Sequence, residues 1–294
     1  MIFPKKVSIG DTIGIVSPCD VKYYEKLVKP EEVLRSMGFK IKYGKNTFKD
    51  TWGYAASPEE RAEDFNAMAC DDEVSLVLFG GGDVGVEVLP LLDYDAIKNS
   101  AKAYCSYSDS TSILNAITAK TELITFHGQT SRTFEDLSEY NEERFKSVII
   151  QRDGRHKAAS EWNALYGGKA RGKLIGGYTQ NVCLMLSSPY FSYSNEEYIL
   201  FLEDYFWFSE PAIVLRYVEH IIQSDFFKNV SGIIFGGYGE GDEQVTEYLR
   251  RKAEIIKKPF IKCSDFGHGK NNAIFPIGAR SFLDADNFTL DFEL

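Results

Sequence analysis

With 294 residues, the chain has room for one large domain or two modest ones at about 150 residues per domain. Its 33 Lys and Arg stand against 43 Asp and Glu, and the resulting net charge of -10 repels nucleic acid phosphates and anionic lipid, so neither is an expected partner. A composition 44% hydrophobic and 26% charged excludes a disordered or collagen-like chain, and no apolar run approaches the roughly 20 residues of a membrane span.

The opening Met1-Ile2-Phe3-Pro4-Lys5-Lys6 lacks the apolar stretch and cleavage site of a secretory signal, which makes the cytoplasm the expected compartment. Five scattered cysteines (Cys19, Cys70, Cys105, Cys183 and Cys263) include no CxxC pair, so neither a disulfide framework nor a zinc site is expected. No metal and no cofactor is called for.

In chain order, Thr12 to Pro18 predicts a strand, and an amphipathic stretch from about Tyr23 to Met37, stopped by Gly38, predicts a helix. Ile41 to Thr47 reads as a second strand. Ser57-Pro58-Glu59-Glu60 forms a capping box with proline at the first helical position, opening a helix to about Cys70. Val74 to Phe79 reads as a buried strand running into Gly80-Gly81-Gly82. Then follow a strand at Ala101 to Cys105, a helix from Ser110 to Ala119, a strand at Leu123 to Phe126 and a helix from Tyr140 to Ile150. This alternation implies a parallel sheet covered by helices on both faces, an α/β fold.

The apolar pattern weakens from Thr130 and resumes at Gly172. The expected division is therefore an α/β domain over 1–130, a connection over 131–171 and a second domain over 172–294. In the second domain Leu174 to Gly177, Tyr198 to Glu203, Gly232 to Gly237 and Pro259 to Cys263 read as strands. Pro211 to Ile222 and Asp242 to Ile255 read as helices, and the tail from Phe275 to Phe292 as antiparallel strands.

Tyr104-Cys105-Ser106-Tyr107-Ser108-Asp109-Ser110-Thr111 places a strand end directly before a helix. A serine lifted there, Ser108, has the setting of a nucleophile elbow, although Ser108 as a simple helix cap fits the same residues. Gly80, Gly82 and Gly85 spell GxGxxG, but on the third strand, where a dinucleotide fingerprint is out of place. Their N–H groups suit an oxyanion better. A serine needs a base, and of His127, His156, His220 and His268 only the last sits on a glycine-flanked loop after a strand. Glu203, closing the apolar run Tyr198 to Leu202, is the candidate carboxylate to orient that imidazole. Glu203 or Asp204 capping the next element is the competing explanation.

These segments, with Leu89-Pro90-Leu91-Leu92-Asp93-Tyr94-Asp95, Gly172-Lys173-Leu174-Ile175-Gly176-Gly177 and Phe275-Pro276-Ile277-Gly278-Ala279, resemble the serine peptidases that comprise LD-carboxypeptidases and microcin C immunity peptidases. The resemblance spans nearly the whole chain. It implies a flavodoxin-like N-terminal domain, a smaller β-rich C-terminal domain, a site in the groove between them and a homodimer. It further implies a Ser-Glu-His triad at Ser108, Glu203 and His268, with oxyanion donors at Gly81 or Gly82 and at Asp109. The implied substrate is a small peptide-like amide, either a murein tetrapeptide losing its terminal D-Ala or an aminoacyl or peptidyl nucleotide.

Three departures stand out. Ser106 occupies a position where the family usually has glycine, and a positive φ there would strain the elbow by about 1–3 kcal/mol. The arginine that often precedes the family's glycine turn is replaced by Gly80. The aromatic-rich loop of the immunity peptidases is reduced to Glu161-Trp162-Asn163-Ala164-Leu165-Tyr166, in which Trp162 is the candidate for stacking on a base; Tyr107 is a second candidate for substrate contact. The rival reading is a non-catalytic or nucleotide-binding module, with Gly80 to Gly85 holding phosphate.

Overall fold

A computed structural model describes residues 1–21, 24–191 and 193–294, and it divides into two units, Met1–Arg152 and Asp153–Leu294. The first unit alternates strands and helices: β1 (Thr12–Val16), α1 (Val28–Ser36), β2 (Lys40–Tyr43), α2 (Pro58–Cys70), β3 (Val74–Phe79), α3 (Tyr94–Ser100), β4 (Ala103–Ser106), α4 (Thr111–Thr121), β5 (Thr125–His127) and α5 (Glu139–Arg144). These strands lie in the order β5-β4-β3-β1-β2, each pair parallel. That is the flavodoxin-like order, with its topological switch point between β1 and β3. The central β1 and β3 are apolar almost without alternation because both faces are covered. The edge strand β2, Lys40-Ile41-Lys42-Tyr43, alternates exposed and half-buried positions.

Local chemistry explains the boundaries. The capping box forms as expected, Ser57 N–H donating to Glu60 Oε2 at 2.9 Å and Glu60 N–H to Ser57 Oγ at 3.3 Å. The predicted start of the first helix at Tyr23 lies outside the described residues, and α1 begins at Val28. β2 stops at Tyr43, short of the expected Thr47, because Asn46 turns its N–H onto the Asp64 carboxylate and Thr47 Oγ1 donates to Ile15 O at 3.1 Å. The helix expected from Tyr140 winds as α5 only to Arg144 and continues as a π-helical segment over Phe145–Gln151.

The second unit contains β6 (Asn163–Tyr166), β7 (Lys169–Tyr178), α6 (Thr179–Met185), β8 (Tyr198–Glu203), α7 (Pro211–Gln223), β9 (Val230–Phe235), α8 (Asp242–Ile256), β10 (Phe260–Lys262), β11 (Phe275–Ile277), β12 (Arg280–Asp284) and β13 (Thr289–Phe292). Its sheet runs β13-β12-β7-β8-β9-β10-β6. The middle four strands are parallel and the flanking ones antiparallel. α7 buries Val214, Val218 and Ile221, and α8 buries Val245, Leu249 and Ala253, the one-face spacing of amphipathic helices. Two elements of this unit carry no sequence signal. Residues 163–166, expected as a loop, form β6 against β10, and α6 follows β7 at once. Short apolar runs carry too little periodicity to declare themselves.

Cys19, Cys105 and Cys263 are buried free thiols, Cys183 is half-buried and Cys70 is exposed. Among the described residues no helix is long and apolar enough to cross a membrane.

Candidate active site

In the first unit the candidate residues stand at the C-terminal ends of β3 and β4, neighbouring parallel strands. Tyr107 is extended, with φ -155° and ψ -170°, and Ser108 then adopts φ +66°. This left-handed conformation costs a non-glycine residue about 1–3 kcal/mol and lifts its side chain off the strand direction. The strain anticipated at Ser106 is not there: Ser106 ends β4 without a positive φ, and its hydroxyl donates to Phe79 O at 2.7 Å. Nor does Ser108 cap a helix. The N-cap positions of the short 3-10 turn and of α4 fall on Tyr107 and Ser110.

The serine turn is stapled to the glycine turn by its neighbours. Ser110 Oγ donates to Gly80 O at 2.8 Å, and Gly85 N–H donates to Asp109 Oδ2 at 2.6 Å. Glycine is required at position 81, where a Cβ would fall 2.6 Å from Ser108 Cβ and 2.9 Å from its Oγ. One at position 82 would fall 2.2 Å from Cys19 O. Gly81→Ala is therefore expected to displace the Ser108 side chain and lower kcat about 100-fold with little change in KM, checked by steady-state kinetics on any substrate the protein turns over. Tyr107, half-buried, sets its ring 6.3 Å from that of His127, edge to face.

In the second unit the four parallel strands deliver their C-terminal ends to one region. β8 ends in Glu203, Asp204 follows it, both are fully buried, and the loop after β10 carries Asp265 and His268. His268 Nδ1 lies 2.7 Å from Glu203 Oε2, with 10% of the His268 side chain exposed and none of Glu203. With Nδ1 engaged by the carboxylate, the tautomer that donates to it leaves Nε2 as acceptor. Gly267 permits this approach: it has φ +96°, and a Cβ there would sit 2.8 Å from Glu203 Oε2. Burial pulls the His268 pKa down, while the charge and hydrogen bond of Glu203 and the charge of Asp204 push it up. The upward influences prevail.

Asp204 is the acid that sequence reasoning passed over as a possible cap. Its Oδ1 accepts Tyr205 N–H at 2.8 Å, a local turn, yet burial pushes its pKa up to about 7. A second cluster fixes the His268 loop. Fully buried Asp265 accepts His156 Nε2 at 2.8 Å, Trp162 Nε1–H at 2.7 Å, and the backbone N–H groups of Ala159 at 3.1 Å and Ser160 at 2.8 Å. Burial works against the Asp265 charge, but these donors, His156 first among them, hold the pKa below the usual carboxylate value. Trp162 is thus 7% exposed, its indole N–H spent on Asp265 and its ring 5.3 Å from that of His156. No local signal exposes this cluster, because its members lie about a hundred residues apart in sequence.

Aromatic rings surround His268. Tyr205 stacks on the imidazole at 5.9 Å and 19°, and Tyr178 and Phe208 meet it edge-on at 5.4 and 5.1 Å.

Comparison with known proteins adds to this geometry. Residues 13–128 match the family model of the LD-carboxypeptidase N-terminal domain, and residues 171–283 that of the LD-carboxypeptidase C-terminal domain. The chain is 28% identical to the microcin C7 self-immunity protein MccF of Escherichia coli, over 96% of this chain and 92% of that protein. It is 26% identical to a Bacillus subtilis protein named "Probable murein peptide carboxypeptidase", over 99% of this chain and 94% of that one. Among solved structures, MccF in complex with aspartyl sulfamoyl adenosine matches with a TM-score of 0.89 at 25% identity, covering 100% of this chain and 99% of the other.

Proposed function

The chain belongs to the LD-carboxypeptidase family of serine peptidases, and from that premise we propose that it hydrolyses a small peptide-like amide through an acyl-enzyme, with Ser108 as nucleophile, His268 as base and Glu203 as its orienter. The observation that carries the reading is the buried 2.7 Å contact between Glu203 Oε2 and His268 Nδ1, which presents Nε2 for proton transfer.

In this mechanism Ser108 Oγ attacks the amide carbon while His268 Nε2 takes its proton. The backbone N–H groups of Gly81 or Gly82 and of Asp109 receive the oxyanion. Collapse breaks the C–N bond, and Nε2 returns the proton to the leaving amine. Water then gives a proton to Nε2, its oxygen attacks the ester carbon, and Ser108 leaves with that proton. One carboxylic acid and one amine are released. Glu203 keeps its charge throughout and stabilises the imidazolium.

Two substrate classes are supported. Similarity to MccF, which binds aspartyl sulfamoyl adenosine, favours an aminoacyl or peptidyl nucleotide. Similarity to the murein peptide carboxypeptidase of B. subtilis favours release of D-Ala from a murein tetrapeptide. The test is mass-spectrometric digestion of L-Ala-γ-D-Glu-meso-diaminopimelate-D-Ala beside aspartyl sulfamoyl adenosine. Cleavage of the adenosine conjugate is expected, loss of D-Ala alone assigns the murein substrate, and inertness toward both contradicts the peptidase reading.

A further inference from the structure

Arg61 lies in the first turn of α2, its N–H donating to Ser57 O at 3.0 Å, and its side chain is 1% exposed. Side chains on a helix tilt toward the N-terminus, and here that direction carries the guanidinium to the loops that leave β1 and β3. A buried guanidinium must spend its N–H donors, which point in a fixed fork. Nε–H donates to Ala56 O at 2.9 Å, Nη1 to Pro18 O at 2.6 Å and to Val84 O at 3.0 Å, and Nη2 to the Glu87 carboxylate.

Pro18 follows β1 and Val84 follows the glycine turn after β3, so one nitrogen joins the two loops at the switch point of the sheet. The same loops also meet through backbone, with Asp83 and Val84 N–H both donating to Cys19 O, at 3.1 and 3.3 Å. From the serine turn, Ser110 Oγ holds Gly80 O and the Asp109 carboxylate holds Gly85 N–H. The glycine turn is therefore fixed at Gly80, Asp83, Val84 and Gly85, and what those holds place against Ser108 is Gly81 and Gly82.

Such fixing has a chemical use. An oxyanion donor stabilises charge only when its N–H already points to where the charge forms, and a misplacement of about 1 Å costs about 100-fold in rate. Four acceptors engage the Arg61 fork. A lysine of the same charge has three N–H donors on one nitrogen and cannot hold them all.

We propose that Arg61 is a positioning residue for the glycine turn, its guanidinium fixing the backbone from Gly80 to Val84 so that the amide of Gly81 or Gly82 meets the oxyanion formed at Ser108. This inference rests on the peptidase reading of Ser108, and its test separates the two. Arg61→Lys and Arg61→Ala are compared with wild type by the rate at which a small fluorophosphonate labels Ser108, and by backbone amide hydrogen exchange followed by NMR. Arg61→Lys carries the test if Arg61→Ala does not fold.

Both variants are expected to lower the labelling rate per reactive serine about 100-fold, and added methylguanidinium to recover most of that loss in Arg61→Ala. A residue that only held the fold would cut the amount of reactive protein and leave the rate per reactive serine at its wild-type value. The Asp83 and Val84 amides are expected to exchange about 10-fold faster in Arg61→Lys, with those of Phe65 and Met68 in α2 unchanged. A wild-type labelling rate per reactive serine in Arg61→Lys, or unchanged exchange at Asp83 and Val84, overturns the proposal. Exchange needs no reaction, so the other question is settled apart: wild-type protein that takes no label while exchange at Asp83 and Val84 depends on Arg61 contradicts the nucleophile and leaves the positioning of the turn standing.

Discussion

Ser108→Ala is expected to lower kcat by about 10,000-fold or more, and to abolish covalent labelling at this position, while leaving substrate affinity near the wild-type value. The size follows from the chemistry. Without Oγ there is no acyl-enzyme, and the residual rate comes only from binding and oxyanion stabilisation. The alanine inherits the φ of +66° and the same backbone staples, Ser110 to Gly80 and Gly85 to Asp109, none of which uses the Ser108 side chain. Tm is therefore expected to stay within about 2 °C of wild type. A helix cap would behave oppositely, losing stability and keeping function, so kinetics and a melting curve on one variant separate the two roles.

Glu203→Gln is expected to have the second largest effect, lowering the plateau of kcat by about 10,000-fold and moving the acid limb of the pH profile to lower pH. A glutamine amide donating to His268 Nδ1 puts the imidazole proton on Nε2, where it cannot accept from serine. The sign of the second part follows from the groups around the ring. In the proposed mechanism His268 works as a base when neutral, so activity is expected to rise with pH through its pKa. That pKa lies above the free value of 6.5 because Glu203, joined by Asp204, outweighs the downward pull of burial. With the Glu203 charge gone, burial faces only Asp204, and the pKa falls. Because burial pushes the Asp204 pKa up to about 7 and its charge acts on the imidazole, the wild-type limb is expected to belong to the His268–Asp204 pair rather than to one residue. A pH–rate profile of kcat/KM on both proteins checks the direction, and an acid limb that stays in place contradicts the assigned partnership.

Much of this was legible in the sequence because the relevant signals are local. β3 and β8 were bounded correctly by apolar runs that end in Gly80 and Glu203, and the Ser57 capping box fixed the start of α2. Sequence singles out Ser108, Glu203 and His268 as polar residues at or beyond strand ends, and of these Glu203 and His268 meet at 2.7 Å. The misses concern contacts across long separations or backbone states that composition does not encode. Ser106 drew attention as a substituted glycine, but the strained φ falls two residues later, where the chain leaves β4. His156 was passed over inside a charged stretch, and only folding carries it to Asp265. Trp162 is a stacking candidate only through the resemblance to the aromatic-rich loop of the immunity peptidases; next to β6, its indole N–H is committed to Asp265. The exposed rings of Trp207 and Phe208 were invisible among apolar neighbours, since sequence does not say which aromatic residues stay in water.

The central claim is that Ser108 is a nucleophile activated by His268, and the most direct measurement is the intact mass of the protein after exposure to a small fluorophosphonate. One adduct, mapped to Ser108, absent from Ser108→Ala and strongly slowed in His268→Ala, is the predicted result. Labelling that persists in Ser108→Ala, or that forms on Ser108 at the same rate without His268, contradicts it.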